Sequence, residues 1–72
     1  MKKEDMHIGK YYYVKGSMYK GIVKAVDLYK NNFEYTDVMQ YEKLDGRIGY
    51  TKCINVEREI TDKSELIMEM LK

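Results

Sequence analysis

Residues able to do covalent chemistry are sparse in this chain. Cys53 and His7 are the only candidates for a nucleophile and its base. Nucleophilic catalysis needs such a pair together with a group that orients the base. His7 reads as part of a tail and Cys53 as part of a strand. Only Lys52 stands beside the thiol to lower its pKa. A packed thiol and a solvated imidazole account for both. A metal site needs three or four convergent ligands. One histidine, one cysteine and scattered carboxylates offer no such spacing. Glu57 with Glu59 reads as strand-end solvation, and Asp62 with Glu65 as helix capping. A phosphate cradle needs glycines just ahead of a helix. Gly16, Gly21, Gly46 and Gly49 instead fall in separate turns and strands. The expectation is a non-enzymatic protein, with no catalytic residue, metal or cofactor.

The remaining chemistry is that of binding. Lys10, Tyr11, Tyr12, Tyr13, Lys15, Tyr19, Lys20 and Lys24 interleave aromatic and basic side chains within one predicted hairpin, and Tyr29 follows in a predicted loop. Tyrosines stack on bases and lysines track phosphates, so this pattern suits a nucleic acid. Exposed tyrosine also suits a protein interface. A third reading sends the tyrosines into the core and leaves the lysines to solubilise a sheet edge. Side chains alternate along a strand, so Tyr11, Tyr12 and Tyr13 cannot all point inward. Which parity is buried stays open, because both neighbours of Tyr12 are tyrosines. A net charge of +1 and an isoelectric point near 7.8 favour a protein partner over nucleic acid, whose binding domains are strongly basic. A homodimer, joined through an edge strand or the terminal helix, is a further reading.

Several elements must position these residues. Residues 1–7 lack apolar periodicity and read as a flexible N-terminal tail. A single domain then covers residues 8–72. Lys10 to Val14 is the first strand, and Lys15-Gly16-Ser17 the turn after it. Met18 to Asp27 is the second strand, with a bulge or bend at Gly21. Leu28 to Asn32 is a loop. Phe33 to Leu44 is the third strand, whose apolar face carries Phe33, Tyr35, Met39 and Tyr41. Asp45-Gly46 signals a hairpin with a type I′ turn into a strand over Ile48 to Ile54. Ile48, Tyr50 and Ile54 share a face of that strand with Lys52. Asn55 to Ile60 reads as a short fifth strand or a 3₁₀ turn. Asp62 and Glu65 form a capping pair for a helix over about residues 62–72. Its apolar stripe is Leu66, Ile67, Met70 and Leu71, read as core.

Short strands with tight connections and no crossover helices must pair antiparallel. The fold class expected is mainly β with one C-terminal α-helix, as a small SH3-like antiparallel barrel of four to five strands. A four-stranded sheet packed on one helix is the alternative.

Gly9-Lys10-Tyr11-Tyr12, Lys15-Gly16-x-x-Tyr19, Ala25-Val26 and Val38-Met39-Gln40-Tyr41 resemble a family of short bacterial and phage proteins of unknown function. The likeness runs from Gly9 to Arg58. Where that family carries tryptophan-valine-arginine-proline, this chain reads Tyr50-Thr51-Lys52-Cys53. The resemblance implies an SH3-like barrel and a phage or prophage source, and implies no activity.

Composition bounds these readings. The chain has 72 residues, 44% hydrophobic and 35% charged, which is globular rather than disordered. It has eight tyrosines, no tryptophan and no proline, so turns rest on Gly, Asp and Asn. A single cysteine leaves no internal disulfide. No apolar run is long enough for a membrane span, and Met1 to Met6 does not read as a secretory signal. A free thiol fits a reducing, cytoplasmic setting. Seven lysines against three acids give residues 1–30 a charge of +4, and residues 31–72 carry −3.

Overall fold

The structure, a computed structural model, describes residues 1–16 and 19–71, with the side chains of 69 and 70 set apart. Five strands form one antiparallel sheet: β1 (Tyr11–Lys15), β2 (Lys20–Asn31), β3 (Thr36–Lys43), β4 (Ile48–Lys52) and β5 (Val56–Glu59). A helix, α1 (Lys63–Met70), follows. Ser17 and Met18 of the expected first turn and second strand, the side chain of Met70 and residue Lys72 lie outside the described residues.

Strands β1 to β4 run as a meander, and β5 returns to pair with β1, giving the order β4-β3-β2-β1-β5. The two edge strands are joined only by a 3₁₀ turn over Cys53–Asn55. A flat sheet would hold those edges about 19 Å apart. A 3₁₀ link from Lys52 to Val56 covers only about 8 Å. The sheet must therefore curl until one end of β4 approaches β5. No ladder joins the two edges, so the sheet is open where a closed barrel was expected.

The core face is set by the tyrosine register. Tyr12 pairs with Val23 on one side and Glu59 on the other, and its side chain is fully buried. With Val14, Val23, Ala25, Met39, Tyr41, Cys53 and Val56 it makes the main cluster. Tyr11 and Tyr13 take the opposite face and are half-buried. Ile22, paired with Tyr13, is also buried but stands outside the main cluster. The Arg58 guanidinium lies over the Tyr13 ring at 5.5 Å.

Strand β2 departs from its expected ends. It continues through Asn31, and its irregularity falls at Val26 rather than at Gly21, because Ala25 pairs with Tyr41 and Asp27 with Gln40. The extra residue has a clear physical effect. Without it, Asp27 would share the core face of Val23 and Ala25. With it, Asp27 turns outward and Leu28 packs on the core opposite Met39. Gly21 has φ 156 and lies under the Tyr19 ring. After β3, the chain turns through Leu44, Asp45 and Gly46. Gly46 N–H donates to the Lys43 carbonyl, and Lys43 N–H donates to the Arg47 carbonyl. Gly46 takes φ 91. This is a three-residue connection closed by a left-handed glycine, not the two-residue type I′ turn expected.

Three further expectations fail. The first seven residues do not stand off as a tail. Lys3–Asp5 form a 3₁₀ turn, Met6 is buried in the core, and the Met1 nitrogen donates to the Val56 carbonyl at 2.7 Å. An isolated methionine carries no periodic signal, so sequence patterning misses it. Among its described side chains the helix adds none to the main cluster: Ile67 and Leu71 are exposed and Leu66 is half-buried. Asp62 does cap it, accepting from Ser64 N–H at 2.8 Å. Glu65, the expected second half of the capping pair, instead holds Arg58 in a bidentate ion pair. That pair lowers the pKa of Glu65 through hydrogen bonding and raises that of Arg58.

Candidate interaction surface

The residues singled out by sequence separate into distinct places. Tyr12 is buried, so it is a core residue and no contact residue. Burial raises its pKa; its hydroxyl accepts a hydrogen bond from the His7 N–H at 2.7 Å. Tyr19 is half-buried, stacked on Tyr41 with ring centroids 5.9 Å apart, and Lys43 sits over its ring. Lys15, Lys20 and Lys24 are exposed on the outer face with Tyr11 and Tyr13. Lys15 and Lys20 are direct cross-strand neighbours. Lys24 stands opposite Glu42 on its other side, which breaks the basic stripe. Lys10 lies apart from these, in a hollow of about 450 Å³ with Tyr11, Asp62 and Leu66. Tyr29 is 39% exposed on β2, opposite Val38.

The most exposed aromatic residues were assigned by sequence to the core. Phe33 is 93% exposed and Tyr35 is 80% exposed. They sit in the connection between β2 and β3, where residues 32–35 join the paired Asn31 and Thr36. Asn31 builds this turn. Its side-chain oxygen accepts the backbone N–H of Phe33 at 3.0 Å and of Glu34 at 3.4 Å. That bond pulls residues 32–35 out of the extended conformation. The turn then closes at Tyr35 with φ 56, the only positive φ among described non-glycine residues. A bulky side chain rarely takes this conformation, which costs on the order of 1–2 kcal/mol. The usable signal in sequence is Asn31-Asn32: aromatics directly after such a pair belong to the turn it starts.

Tyr35 borders a hollow of about 280 Å³ lined also by Met1, Thr36, Cys53 and Ile54 and by the charged Lys2, Asp37 and Lys52. The Thr36 hydroxyl is buried and has no hydrogen-bond partner among the described residues. Ile54 is 81% exposed. The β2–β3 turn thus offers Phe33 and Tyr35, with Ile54, two lysines and Asp37 around the same hollow. A third concavity, of about 410 Å³, is lined by Gly16, Tyr19, Tyr41, Tyr50 and Asn55.

Cys53 is buried, and desolvation raises its thiol pKa. Among the described residues, no group of three or more His, Cys, Asp or Glu side chains stands together. No described helix is long and apolar enough to cross a membrane.

Fold and surface together define a small antiparallel β domain with an aromatic hairpin turn. Comparison with protein-family models, with curated proteins and with solved structures finds no match.

Proposed function

We propose that this protein is a non-enzymatic binding module that engages a protein partner through the β2–β3 turn. The observation that carries the reading is Tyr35: a bulky aromatic held at φ 56 and left 80% exposed beside an exposed Phe33. Strain kept at a surface aromatic gives the fold nothing, and such strain concentrates at contact sites. Large exposed aromatics are the residues that carry most binding energy at protein interfaces. The open sheet, curled by the short link between β4 and β5, is consistent with an SH3-like barrel that is incompletely closed. The rival nucleic-acid reading has less support, because Glu42 faces Lys24 and Glu65 holds Arg58.

Affinity capture with three immobilised forms tests this reading. Wild type and a Tyr50→Ser control are expected to retain the same protein. The double variant Phe33→Ser, Tyr35→Gly should retain it more than about tenfold less well. Equal capture by all three forms would remove the turn from the function.

A further inference from the structure

The two edges of the sheet are unequally protected. Strand β5 is short, carries Glu57, Arg58 and Glu59, and is kinked by an extra residue where its register against β1 shifts. Charges, shortness and bulges are the usual guards against edge pairing. Strand β4 is one residue longer, has no bulge and carries its one charge, Lys52, at its end. Its register against β3 is unbroken, and Ile48 and Tyr50 are 50% and 61% exposed.

Hydrogen-bond parity shows which β4 groups are free. Lys43 N–H bonds the Arg47 carbonyl, so Lys43 and Arg47 form a hydrogen-bonded pair. Pairs alternate along an antiparallel ladder. Gly49 and Thr51 therefore bond to β3, through Tyr41 and Met39. The N–H groups of Ile48, Tyr50 and Lys52 point away from β3, as do the carbonyls of Ile48 and Tyr50. No described residue makes a backbone hydrogen bond to them from the other side.

We infer that β4 pairs antiparallel with β4 of a second copy of this chain, about a two-fold axis at Tyr50. The occupant is chosen by self-complementarity. Placed on the axis, Tyr50 exchanges both backbone bonds with Tyr50 of the second copy. Lys52 N–H then reaches the Ile48 carbonyl of the other copy, at both ends. Like charges are never opposed: each Lys52 faces an Ile48 across the joint. The next residue in that row is Glu42, the β3 partner of Ile48, whose carboxylate also faces Lys24 of its own chain. Aromatic and β-branched cross-strand neighbours favour such a pairing. The joint merges two open sheets and hides the less guarded edge. It uses a surface separate from the β2–β3 turn.

Lys52 provides the test. Its φ is −72, which suits proline, so Lys52→Pro removes one outward N–H and no bond to β3. Lys52→Ala removes the side chain and keeps the N–H. Sedimentation equilibrium over about a hundredfold concentration range should show wild type and Lys52→Ala passing from monomer to dimer. Lys52→Pro should dissociate about ten- to a hundredfold more readily, losing one bond at each end of the joint. Circular dichroism of dilute samples should show all three folded. Wild type that stays monomeric up to about millimolar concentration would overturn the pairing, since dissociation weaker than that is no specific dimer. Association of Lys52→Pro equal to that of Lys52→Ala would also overturn it, and would shift attention to the exposed Ile67 and Leu71 of α1.

Discussion

Replacing Tyr12 by alanine leaves the domain largely unfolded at about 25 °C. The ring is fully buried between Val23 and Glu59, and its hydroxyl holds the N–H of His7. Removing a buried aromatic side chain costs about 3–5 kcal/mol. A single core of this size supplies about 3–5 kcal/mol in all. Little stability is left over. Tyr12→Phe keeps the ring and loses only the hydroxyl bond, so it should cost about 1 kcal/mol. Tyr13→Ala acts on the other face, where Tyr13 is half-exposed, and that variant should remain folded. Thermal melts followed by circular dichroism check all three. The reverse result, with Tyr13→Ala unfolded and Tyr12→Ala folded, would mean that β1 is paired one residue out of register.

Gly49→Ala should lower stability by about 1–3 kcal/mol, the usual cost of overpacking. A Cβ at this position would fall 2.6 Å from Cζ of Tyr41 and 2.6 Å from its hydroxyl oxygen. The Tyr41 ring lies across the glycine on the neighbouring strand and has little room to leave. It is 5% exposed and stacked on Tyr19. Gly49 has no left-handed φ, so crowding alone sets its preference. Urea denaturation gives the loss directly. Combined with Tyr41→Val, the same substitution should cost less than the sum of the two single changes. An unchanged urea midpoint for Gly49→Ala would mean that the Tyr41 ring does not cross β4.

Local chemistry was legible where one residue type dictates one conformation. Gly46 after Asp45 marked the β3–β4 hairpin, although the number of residues in the turn depended on where the strand pairs ended. Asp62 marked the start of α1. Alternation along Val38 to Glu42 placed Met39 and Tyr41 inward. What sequence patterning missed depends on non-local events. The extra residue at Val26 reverses the parity of everything after it in β2, and nothing local announces it. The buried parity of Tyr11 to Tyr13 is decided by Val23 and Glu59, which are remote in sequence. Helical spacing of Leu66, Ile67 and Leu71 suggested a core contact, yet Ile67 and Leu71 are exposed, Leu66 is half-buried and Glu65 holds Arg58.

The residues singled out for contact divide by exposure. Tyr29 and the outer-face lysines are exposed as expected. Tyr12 belongs to the core. Phe33 and Tyr35 were drawn into β3 because strict alternation continues through them. The Asn31 side chain interrupts that alternation by capturing two backbone N–H groups, an effect that a count of apolar positions does not register.

The most direct test of the account is the thermal midpoint of Tyr35→Gly. If Tyr35 is held at φ 56 for contact and not for folding, glycine relieves the strain. Stability should then rise by about 0.5–1 kcal/mol, raising the midpoint by a few degrees. A midpoint that falls would show that the Tyr35 ring supports the fold, and would contradict its assignment to the interaction surface.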